Sequence, residues 1–341
     1  MSEAVVGIDP DRWERLVDAT PGIDPWCSGP DWVVPAFAAY APEGAEPWVD
    51  DHGELGAALL ARYGGAGDGL TDLGTPVILA GLEPLWGFAC PLIGPDPERL
   101  LEALVRRLAD DPTWHRVVLP GFVDPERLRT LALHLFDLTE RLAARSRGGP
   151  LEVGLAEGIA RRVVDLEGDA AAWWDRRGSK FRRNLRRARR RADEAGVTFV
   201  DLDADDDGSL IDRLVAIEAQ GWKGAEASGI ASPDMQRFYR EMVGRLDEAG
   251  RLRASIAVDA DGRDLAFILG GVRGDVYRGL QLSYVADAAS LSLGHLLQWR
   301  EVEALAAAGL RTYDLGMEMD YKAGWSDRLV ASHVLVLQRT W

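Results

Sequence analysis

The sequence predicts an α/β protein, an α+β arrangement with mixed sheets, in which one order of helices and strands occurs twice in tandem. The second half of the chain reads strand, helix, helix, three strands joined by tight turns, helix, strand and strand. The first half shows the same order more faintly, without any repeat of the residues themselves. A chain of 341 residues is long enough for two domains that each bury a core. We therefore expect domains at residues 1–155 and 156–341.

The elements of the first half are short. Helices are expected at about residues 10–18 and 30–40, followed by the strands PWVDD, ELGAALLARY and LTDLGTPVILA. A helix beginning in GPDPERLLEALVRRLA, the strand HRVVLPG and a helix beginning in DPERLRTLALHLF come next. Glycine and proline in residues 150–158, PLEVGLAEG, interrupt both periodicities, which places the domain boundary in this segment.

The elements of the second half have clearer signals. ARRVVDL and VTFVDLD are strand-like, Ser209 begins a helix, and Ser232 followed by Pro233 begins another. LRASIAVD, LAFILGGVR and VYRGLQLSYV are three strands joined by turn sequences. A last helix ends before Gly309, and RTYDLG and VASHVLVLQR are the closing strands.

Residues 178–196, GSKFRRNLRRARRRADEAG, predict a basic helix at the start of the second domain. Ten cationic side chains and no acidic one lie between Arg176 and Arg191, although the formal net charge of the chain is −16. Gly196 is placed to end this helix. An apolar stripe docks the helix and leaves seven arginines on the opposite side; the stripe consists of Phe181, Leu185, Ala188, Ala192 and Ala195.

The basic helix favours an anionic partner. Its arginines repel one another, because no glutamate is interleaved among them at the favourable spacing of four. The acidic remainder of the chain disfavours broad, nonspecific binding to nucleic acid or membrane, so a polyanion is expected to bind locally. Two other interpretations stay open, a solvated helix face and a structural brace whose arginines pair with acidic side chains.

The composition excludes several classes of protein. No apolar run approaches the roughly 20 residues that a membrane span needs, and the acidic start MSEAVVGIDPDRW lacks the features of a signal peptide. Cys27 and Cys90 make no disulfide framework, so we expect a cytoplasmic protein. No spacing of histidine and cysteine suits zinc, and the calcium-loop pattern at residues 203–214 has Leu214 where a glutamate is required. We expect neither a metal nor a membrane partner.

Lysine is rare in this chain. Of its 39 cationic residues, only Lys180, Lys223 and Lys322 are lysine. A compact ammonium group binds a point anion or loses a proton, tasks that a planar guanidinium performs poorly. The three lysines are therefore candidate site residues, against the alternative that each was retained by chance.

Four motifs carry a resemblance to a known family. FRRNLRRARRR, EAQGWKG, SLSLGHLLQW and YDLGMEMDYKAGW, within about residues 160–330, resemble the acetyltransferase domain named after the CelD and BcsL proteins. The element order is similar to that of the GNAT acyltransferase fold, and two copies in tandem resemble the FemABX peptidyltransferases. The resemblance implies a degenerate GNAT-like first domain and a GNAT acyltransferase second domain.

The resemblance also implies where a donor binds. GNAT enzymes hold the donor between two strands that splay apart, with its phosphates at the N-terminus of the following helix, here QLSYV, SLSLGHLLQW and YDLG. Gly294 stands alone where simple GNAT enzymes have two spaced glycines, so acyl-CoA is a possible donor without a clear coenzyme A loop. The corresponding turn of the first domain, LIGPDPERLL, has two prolines and two acids and is not expected to hold a donor.

FemABX enzymes take their acyl group from aminoacyl-tRNA, which is the second donor that the resemblance implies. The basic helix would bind the tRNA backbone through salt-sensitive phosphate contacts, with Lys180, Arg183 and Arg187 as candidates. The same helix would equally suit the phosphates of coenzyme A, and the sequence does not separate these ligands.

Candidate catalytic residues follow the strand YDLG. Lys322 would stabilise a tetrahedral oxyanion or bind a terminal phosphate, and Tyr321 would donate a proton to the leaving group. Glu318 or Asp320 would accept a proton from the attacking amine. As a charged residue on a loop, Lys322 is expected to contribute little to stability.

Other candidates would contact substrate or donor. Trp222 and Lys223 suit a substrate wall and an anion contact, and Trp325 suits a wall or a core residue. His295 follows Gly294 on the first turn of a helix, where it is a candidate base or donor contact, although a lone histidine is more often a packing residue.

The sequence therefore predicts an N-acyltransferase that forms an amide by moving an acyl group from an activated donor of the acyl-CoA type to a small-molecule amine. An aminoacyl-tRNA-dependent transferase is the alternative within the same class. A non-catalytic RNA-binding module of the same fold is the alternative from another class. The missing glycines around Gly294 favour this module, whereas the retained lysines favour the enzyme.

Overall fold

The computed structural model describes residues 7–64, 76–111, 113–143, 150–202, 209–221 and 229–339. The described helices are α1 (Pro10–Ala19), α2 (Pro25–Ser28), α3 (Pro30–Tyr40), α4 (Pro97–Asp110), α5 (Pro125–Ala143), α6 (Ala170–Asp175), α7 (Ser179–Glu194), α8 (Ser209–Ala219), α9 (Pro233–Glu248) and α10 (Leu293–Ala307). The described strands are β1 (Glu46–Asp51), β2 (Ala57–Tyr63), β3 (Ile78–Gly81), β4 (Leu92–Ile93), β5 (Arg116–Phe122), β6 (Leu151–Asp165), β7 (Thr198–Leu202), β8 (Leu252–Val258), β9 (Asp264–Arg273), β10 (Val276–Tyr284), β11 (Thr312–Met317) and β12 (Arg328–Arg339).

The chain divides into two compact units. The first contains residues 1–159 and 331–341, and the second contains residues 160–330. The last residues belong to the first unit because β12 pairs antiparallel with β5 between His333 and Gln338. This division differs at the C-terminus from the continuous ranges that the sequence suggests.

The first unit combines antiparallel strands with one parallel pair. β1, β2 and β3 are antiparallel neighbours, and β4 also pairs with β2. After α4 the chain returns as β5, which lies parallel to β3 over three residue pairs. Leucines from α4 are fully buried, because its apolar positions recur at helical spacing; they include Leu100, Leu101, Leu104 and Leu108.

The second unit repeats this arrangement. β7, β8, β9 and β10 are antiparallel neighbours, α10 follows, and β11 returns parallel to β10. The outer side of β11 pairs antiparallel with the end of β6. Both units thus consist of antiparallel strands, a connecting helix and a parallel strand, which confirms the predicted tandem mixed α/β fold.

The segment expected as a domain boundary is not a loop. Residues 151–165 form the single strand β6, and Gly154 and Gly158 lie within it. A Cβ at Gly158 would overlap the side-chain oxygen of Ser332, whose hydroxyl donates to the carbonyl oxygen of Ile159 at 3.0 Å. Gly158 therefore permits the close approach of β12. A glycine in a strand can serve such a close contact as well as a turn.

The predicted basic helix is α7. Gly196 ends it with a φ of 69°, and the N–H of Val197 donates to the carbonyl oxygen of Ala192 at 3.0 Å, as in a Schellman cap. Leu185, Ala188 and Ala192 are buried as predicted, Phe181 is partly buried and Ala195 is exposed. The cap of α9 is also confirmed, because the Ser232 hydroxyl accepts from the N–H of Met235 at 3.4 Å.

Close packing in the second unit generates a stability prediction. A Cβ at Gly270, in β9, would overlap the ring of Tyr277, which is fully buried. Gly270→Ala should lower the free energy of unfolding by about 1–3 kcal/mol, because the ring must shift in a filled core. Urea denaturation measures this change.

Gly244→Ala is the matched control. Gly244 lies in the middle of α9, and an added Cβ there meets no atom within 4 Å. This substitution should raise the free energy of unfolding by roughly 0.5–1 kcal/mol, the difference in helix propensity between the two residues. Equal effects of the two substitutions would contradict the described packing of Tyr277.

Candidate functional site

The parallel strands β10 and β11 separate after a short region of pairing. They pair at Val276–Thr312, Tyr277–Tyr313 and Arg278–Asp314, and at no later position in the described residues. The pairing of β10 with β9 shifts between Gly279 and Gln281, and Gly316 in β11 has a φ of 76°. A bulge and a left-handed residue bend both strands, so an opening lies between residues 279–284 and 315–317.

Asp314 joins three strands at the base of this opening. Its carboxylate forms an ion pair with Arg161 of β6 and accepts from Arg278 of β10 at 3.0 Å. The other carboxylate oxygen accepts the N–H of Gly316 at 2.8 Å. Asp314, Arg161 and Arg278 are all buried, so these charge-assisted bonds fix the point where the strands part.

Lys322 lies in the turn that follows β11. Its side chain is buried, and its ammonium nitrogen donates to the carbonyl oxygen of Met317 at 2.8 Å. The same nitrogen lies 5.8 Å from the centre of the Tyr321 ring. Burial and this hydrogen bond to the backbone argue against the expectation of a loop residue with little effect on stability, so we expect the ammonium group to contribute to folding.

The other candidate catalytic residues differ in their surroundings. Tyr321 is 48% exposed, and the burial of the rest of its side chain raises the pKa of its hydroxyl, which therefore stays protonated at neutral pH. Glu318 forms an ion pair with Arg162, and Asp320 is exposed. The structure thus brings Lys322 and Tyr321 together, whereas the carboxylate of Glu318 is held by Arg162.

The N-terminus of α10 has no side-chain cap. Ser292 occupies the cap position with a φ of 57°, and its hydroxyl accepts from Arg191 of α7 at 3.4 Å instead of from an amide of α10. In the first unit, by contrast, the carboxylate of Asp96 caps α4 by accepting the N–H of Arg99 at 3.1 Å. A carboxylate therefore caps the positive end of the helix dipole in α4, whereas no side chain caps it in α10.

Gly294 permits close packing of α10 on β10. A Cβ at this position would lie 2.7 Å from a methyl carbon of Leu282 and 3.7 Å from the ring of Tyr284. The glycine therefore has a packing role at the opening, whatever else it contacts.

His295 and Trp325 form a contact at the same helix end. Their rings are nearly parallel, with centres 5.8 Å apart, and the indole N–H of Trp325 donates to Nδ1 of His295 at 3.3 Å. Trp325 is fully buried and stacks on Trp173, whereas His295 retains an exposed surface. Burial of the remaining part of the ring lowers the pKa of His295. Trp325 is thus a core residue, and His295 is accessible.

The cations of α7 have two different environments. On one side of the helix, Arg182 pairs with Asp175 at 3.1 Å, Arg186 lies over Trp174, and Arg189 lies over Trp299. A second group of cations lies on another side of the helix and is exposed; it consists of Lys180, Arg183 and Arg187. Within the described residues, the side chains of this group form no hydrogen bond or ion pair.

These environments bear on the alternatives for the basic helix. A structural role applies to several cations, because Arg176 and Arg177 pair with Asp327, and Arg190 pairs with Glu194 at 3.5 Å. Lys180, Arg183 and Arg187 remain available for an external anion.

Two predicted site residues, Trp222 and Lys223, lie outside the described residues. Asp314 and Arg278 were missed by the sequence reasoning, because a charged residue in a strand usually faces solvent. The signal that identifies them is the charge within VYRG and TYDLG, strands that are otherwise apolar or aromatic.

Neither a metal-binding cluster nor a membrane-spanning helix occurs in the described ranges. There, no three histidine, cysteine or acidic side chains form a group able to hold a metal ion. No helix in the same ranges is long and apolar enough to cross a membrane.

Comparison with known proteins identifies the fold. Residues 179–323 match the family model described as an acetyltransferase (GNAT) domain. The crystal structure of FemX superposes with a TM-score of 0.62 at 12% identity, covering 96% of each chain. The structure of L-PGS from Bacillus licheniformis gives a TM-score of 0.54 at 12% identity, covering 97% of this chain and 92% of the other.

A third structure supports the same fold. The C-terminal domain of a putative lysylphosphatidylglycerol synthetase from Agrobacterium fabrum gives a TM-score of 0.50 at 16% identity, covering 82% of this chain and 80% of the other. The repeated element order and these similarities agree: the protein has a tandem GNAT-like fold, and its residues 179–323 match the model of the acetyltransferase (GNAT) domain.

Proposed function

We propose that this protein transfers an acyl group from a phosphate-bearing donor of the acyl-CoA type to the amine of a small molecule, with formation of an amide. The observation that carries the proposal is the opening between β10 and β11 beside the uncapped N-terminus of α10. Both features lie within the segment that matches the GNAT domain.

The opening suits the extended part of such a donor. Beyond Arg278 and Asp314, the two strands do not pair with each other in the described residues, which would let an extended ligand with amide groups lie between them and bond to their backbone. The carbonyl oxygen of Leu280 in β10 already accepts from the Tyr239 hydroxyl at 3.3 Å. The phosphates would then lie at the first turn of α10, whose amides and dipole favour anions. Arg191 already contacts Ser292 at this position.

The first unit is a poorer candidate for the donor. The N-terminus of α4 is occupied by the carboxylate of Asp96, which would repel a phosphate. Gly81 ends the parallel strand β3, and a Cβ there would lie 3.7–3.8 Å from Pro120 and Pro91, so side chains of the unit itself fill the space beside it. We assign donor binding to the second unit for these reasons.

The proposed chemistry uses the turn after β11. The amine nitrogen attacks the carbonyl carbon of the thioester, a C–N bond forms, and the negative charge that develops on oxygen is stabilised by Lys322. The C–S bond then breaks, and the hydroxyl of Tyr321 donates a hydrogen bond to the departing sulfur. The proton lost by the amine goes to Glu318 after its separation from Arg162, or to Asp320 on the same turn.

Aminoacyl-tRNA is the second candidate donor. The exposed cations Lys180, Arg183 and Arg187 favour it, because a row of unpaired charges on a helix suits the phosphate backbone of a nucleic acid. The solved structures named FemX and lysylphosphatidylglycerol synthetase are consistent with transfer of an amino acid, since the second name itself includes a lysyl group.

Substitution of Lys322 tests the proposed chemistry. Lys322→Met should lower kcat by roughly a hundredfold and change donor affinity by only a few-fold, because the ammonium acts on charge that develops in the transition state. Lys322→Arg should restore little activity, since a planar guanidinium does not occupy the same point. Single-turnover kinetics with acyl-CoA and a panel of amines measures both effects.

Arg129→Met is the control, because it removes an exposed cation of the first unit that lies outside the turn. Loss of the bond to Met317 should also lower the free energy of unfolding of Lys322→Met by about 1 kcal/mol, so rates are compared well below the melting transition. A rate within a few-fold of wild type for folded Lys322→Met would exclude the proposed role.

Substitution of the exposed cations separates the two donors. A variant with Gln at positions 180, 183 and 187 should bind tRNA more weakly if aminoacyl-tRNA is the donor. The slope of log K against log salt should then decrease in magnitude by about 0.9 for each duplex phosphate that the variant no longer binds. Fluorescence titration over a range of salt concentrations measures this slope.

The matched control replaces Arg182, Arg186 and Arg189 with Gln, because these three contact Asp175, Trp174 and Trp299. It should retain the wild-type slope. Absence of tRNA binding at low salt would exclude aminoacyl-tRNA as the donor. Binding of coenzyme A, measured by calorimetry, would favour a donor of the acyl-CoA type. Binding of tRNA without any acyl transfer would instead indicate a non-catalytic module.

A further inference from the structure

The contact between Trp325 and His295 determines which nitrogen of the imidazole carries the proton. An indole N–H is only a donor, and it points at Nδ1 of His295 at 3.3 Å. Nδ1 must therefore accept, and the neutral ring carries its proton on Nε2. His295 is exposed, and through this exposed surface the second N–H would reach a ligand.

We propose that Trp325 fixes His295 as a neutral imidazole whose Nε2–H donates a hydrogen bond to a phosphate oxygen of the donor. His295 is then a binding residue, and Trp325 is a positioning residue. This inference rests on the proposed function, since it requires a phosphate-bearing ligand at the N-terminus of α10.

The position of Trp325 is itself fixed by its neighbours. Its ring stacks on Trp173 with centres 5.6 Å apart, and the edge of Phe181 contacts it at 4.9 Å between ring centres. Its carbonyl oxygen accepts from Arg177 at 2.7 Å and from the indole N–H of Trp173 at 3.3 Å. A ring held on this many sides cannot rotate to release Nδ1 without disturbing the core.

The same contact opposes a role of His295 as a base. Nε2 already carries a proton, so it has no lone pair with which to accept one from an amine. Protonation of Nδ1 would place two N–H donors against each other, a cost added to the burial that lowers the pKa of this ring. His295 therefore suits hydrogen-bond donation better than proton abstraction.

The location of His295 agrees with an anionic ligand. It lies three residues after Ser292 on the first turn of α10, where the helix dipole favours negative charge. Arg191 contacts the Ser292 hydroxyl at 3.4 Å, which brings a cation to the same helix end. An N–H, a guanidinium and the first amides of a helix together form a suitable set of donors for phosphate oxygens.

Nuclear magnetic resonance measures the tautomer directly, without any ligand. Long-range proton–nitrogen correlation spectra of wild type should show His295 with a protonated Nε2 and an unprotonated Nδ1 that accepts a hydrogen bond; His295→Leu assigns the signal. Trp325→Phe should lose the signature of the hydrogen-bonded Nδ1. Trp299→Phe, which changes another tryptophan of the same unit, should keep it. A protonated Nδ1 in wild type would overturn the inference.

Calorimetry with coenzyme A and with inorganic pyrophosphate tests the ligand contact. His295→Leu should weaken binding by about tenfold or more, the effect of losing one hydrogen bond to a charged group. His295→Gln should recover part of this loss, because its amide N–H lies near the position of Nε2–H. Trp325→Phe should weaken binding less than His295→Leu, and Trp299→Phe should have no effect.

The outcomes separate this inference from the proposed function. Equal affinity of wild type and His295→Leu would overturn the inference and leave acyl transfer intact. Binding of pyrophosphate but not of coenzyme A would contradict acyl-CoA as the donor. The affinities of the two His295 variants for pyrophosphate would still test the contact between Nε2–H and a phosphate oxygen. Binding of neither probe would overturn both. Comparison of melting temperatures shows whether Trp325→Phe is folded.

Discussion

Asp314 accepts hydrogen bonds from two arginines and one backbone amide at the point where the second sheet opens. Its partners belong to β6, β10 and β11 itself, so one carboxylate sets the relative positions of three strands. Removal of one partner from a buried ion pair typically costs about 3–5 kcal/mol, because the remaining charge stays buried. The last residue pair of β10 and β11 is Arg278 and Asp314, and every feature of the candidate site lies beyond it.

The opening places three kinds of chemistry within one short region of the fold. The edges of β10 and β11 offer backbone hydrogen bonds, the N-terminus of α10 offers a positive dipole, and the turn after β11 offers a buried ammonium. The first unit has a comparable parallel pair, but the helix that follows is capped by its own carboxylate. This contrast explains physically how one fold could carry transfer chemistry in only one of its two copies.

Much of the fold could be predicted from the sequence, because it depends on local signals. The basic helix, the Ser232 cap and the hairpins follow from periodicity and from turn residues. The first unit's main segment ends at residue 159, close to the expected boundary at residue 155, but Gly154 and Gly158 lie within a strand, because glycine suits a close strand contact as well as a loop. The pairing of the last strand with β5 is a long-range contact for which the local pattern of VASHVLVLQR contains no signal.

The candidate site was predictable in residue type but not in environment. Lysine rarity identified Lys322, yet only the structure shows that it is buried and bonded to Met317. Equally, the sequence places His295 on a helix turn, but the direction of its hydrogen bond depends on Trp325, which is 30 residues away. A charge within an otherwise apolar or aromatic strand singles out Arg278 and Asp314, but their pairing could not be inferred, since ion pairs between strands depend on sheet register.

The proposed function depends on binding of the donor in the opening between β10 and β11. Hydrogen–deuterium exchange with and without coenzyme A tests it most directly, with aminoacyl-tRNA as a parallel ligand. Donor binding in the opening should slow exchange in residues 279–284 and 293–296, while exchange in β5 of the first unit should remain unchanged. Protection confined to the first unit, or protection of α7 alone by either ligand, would contradict it.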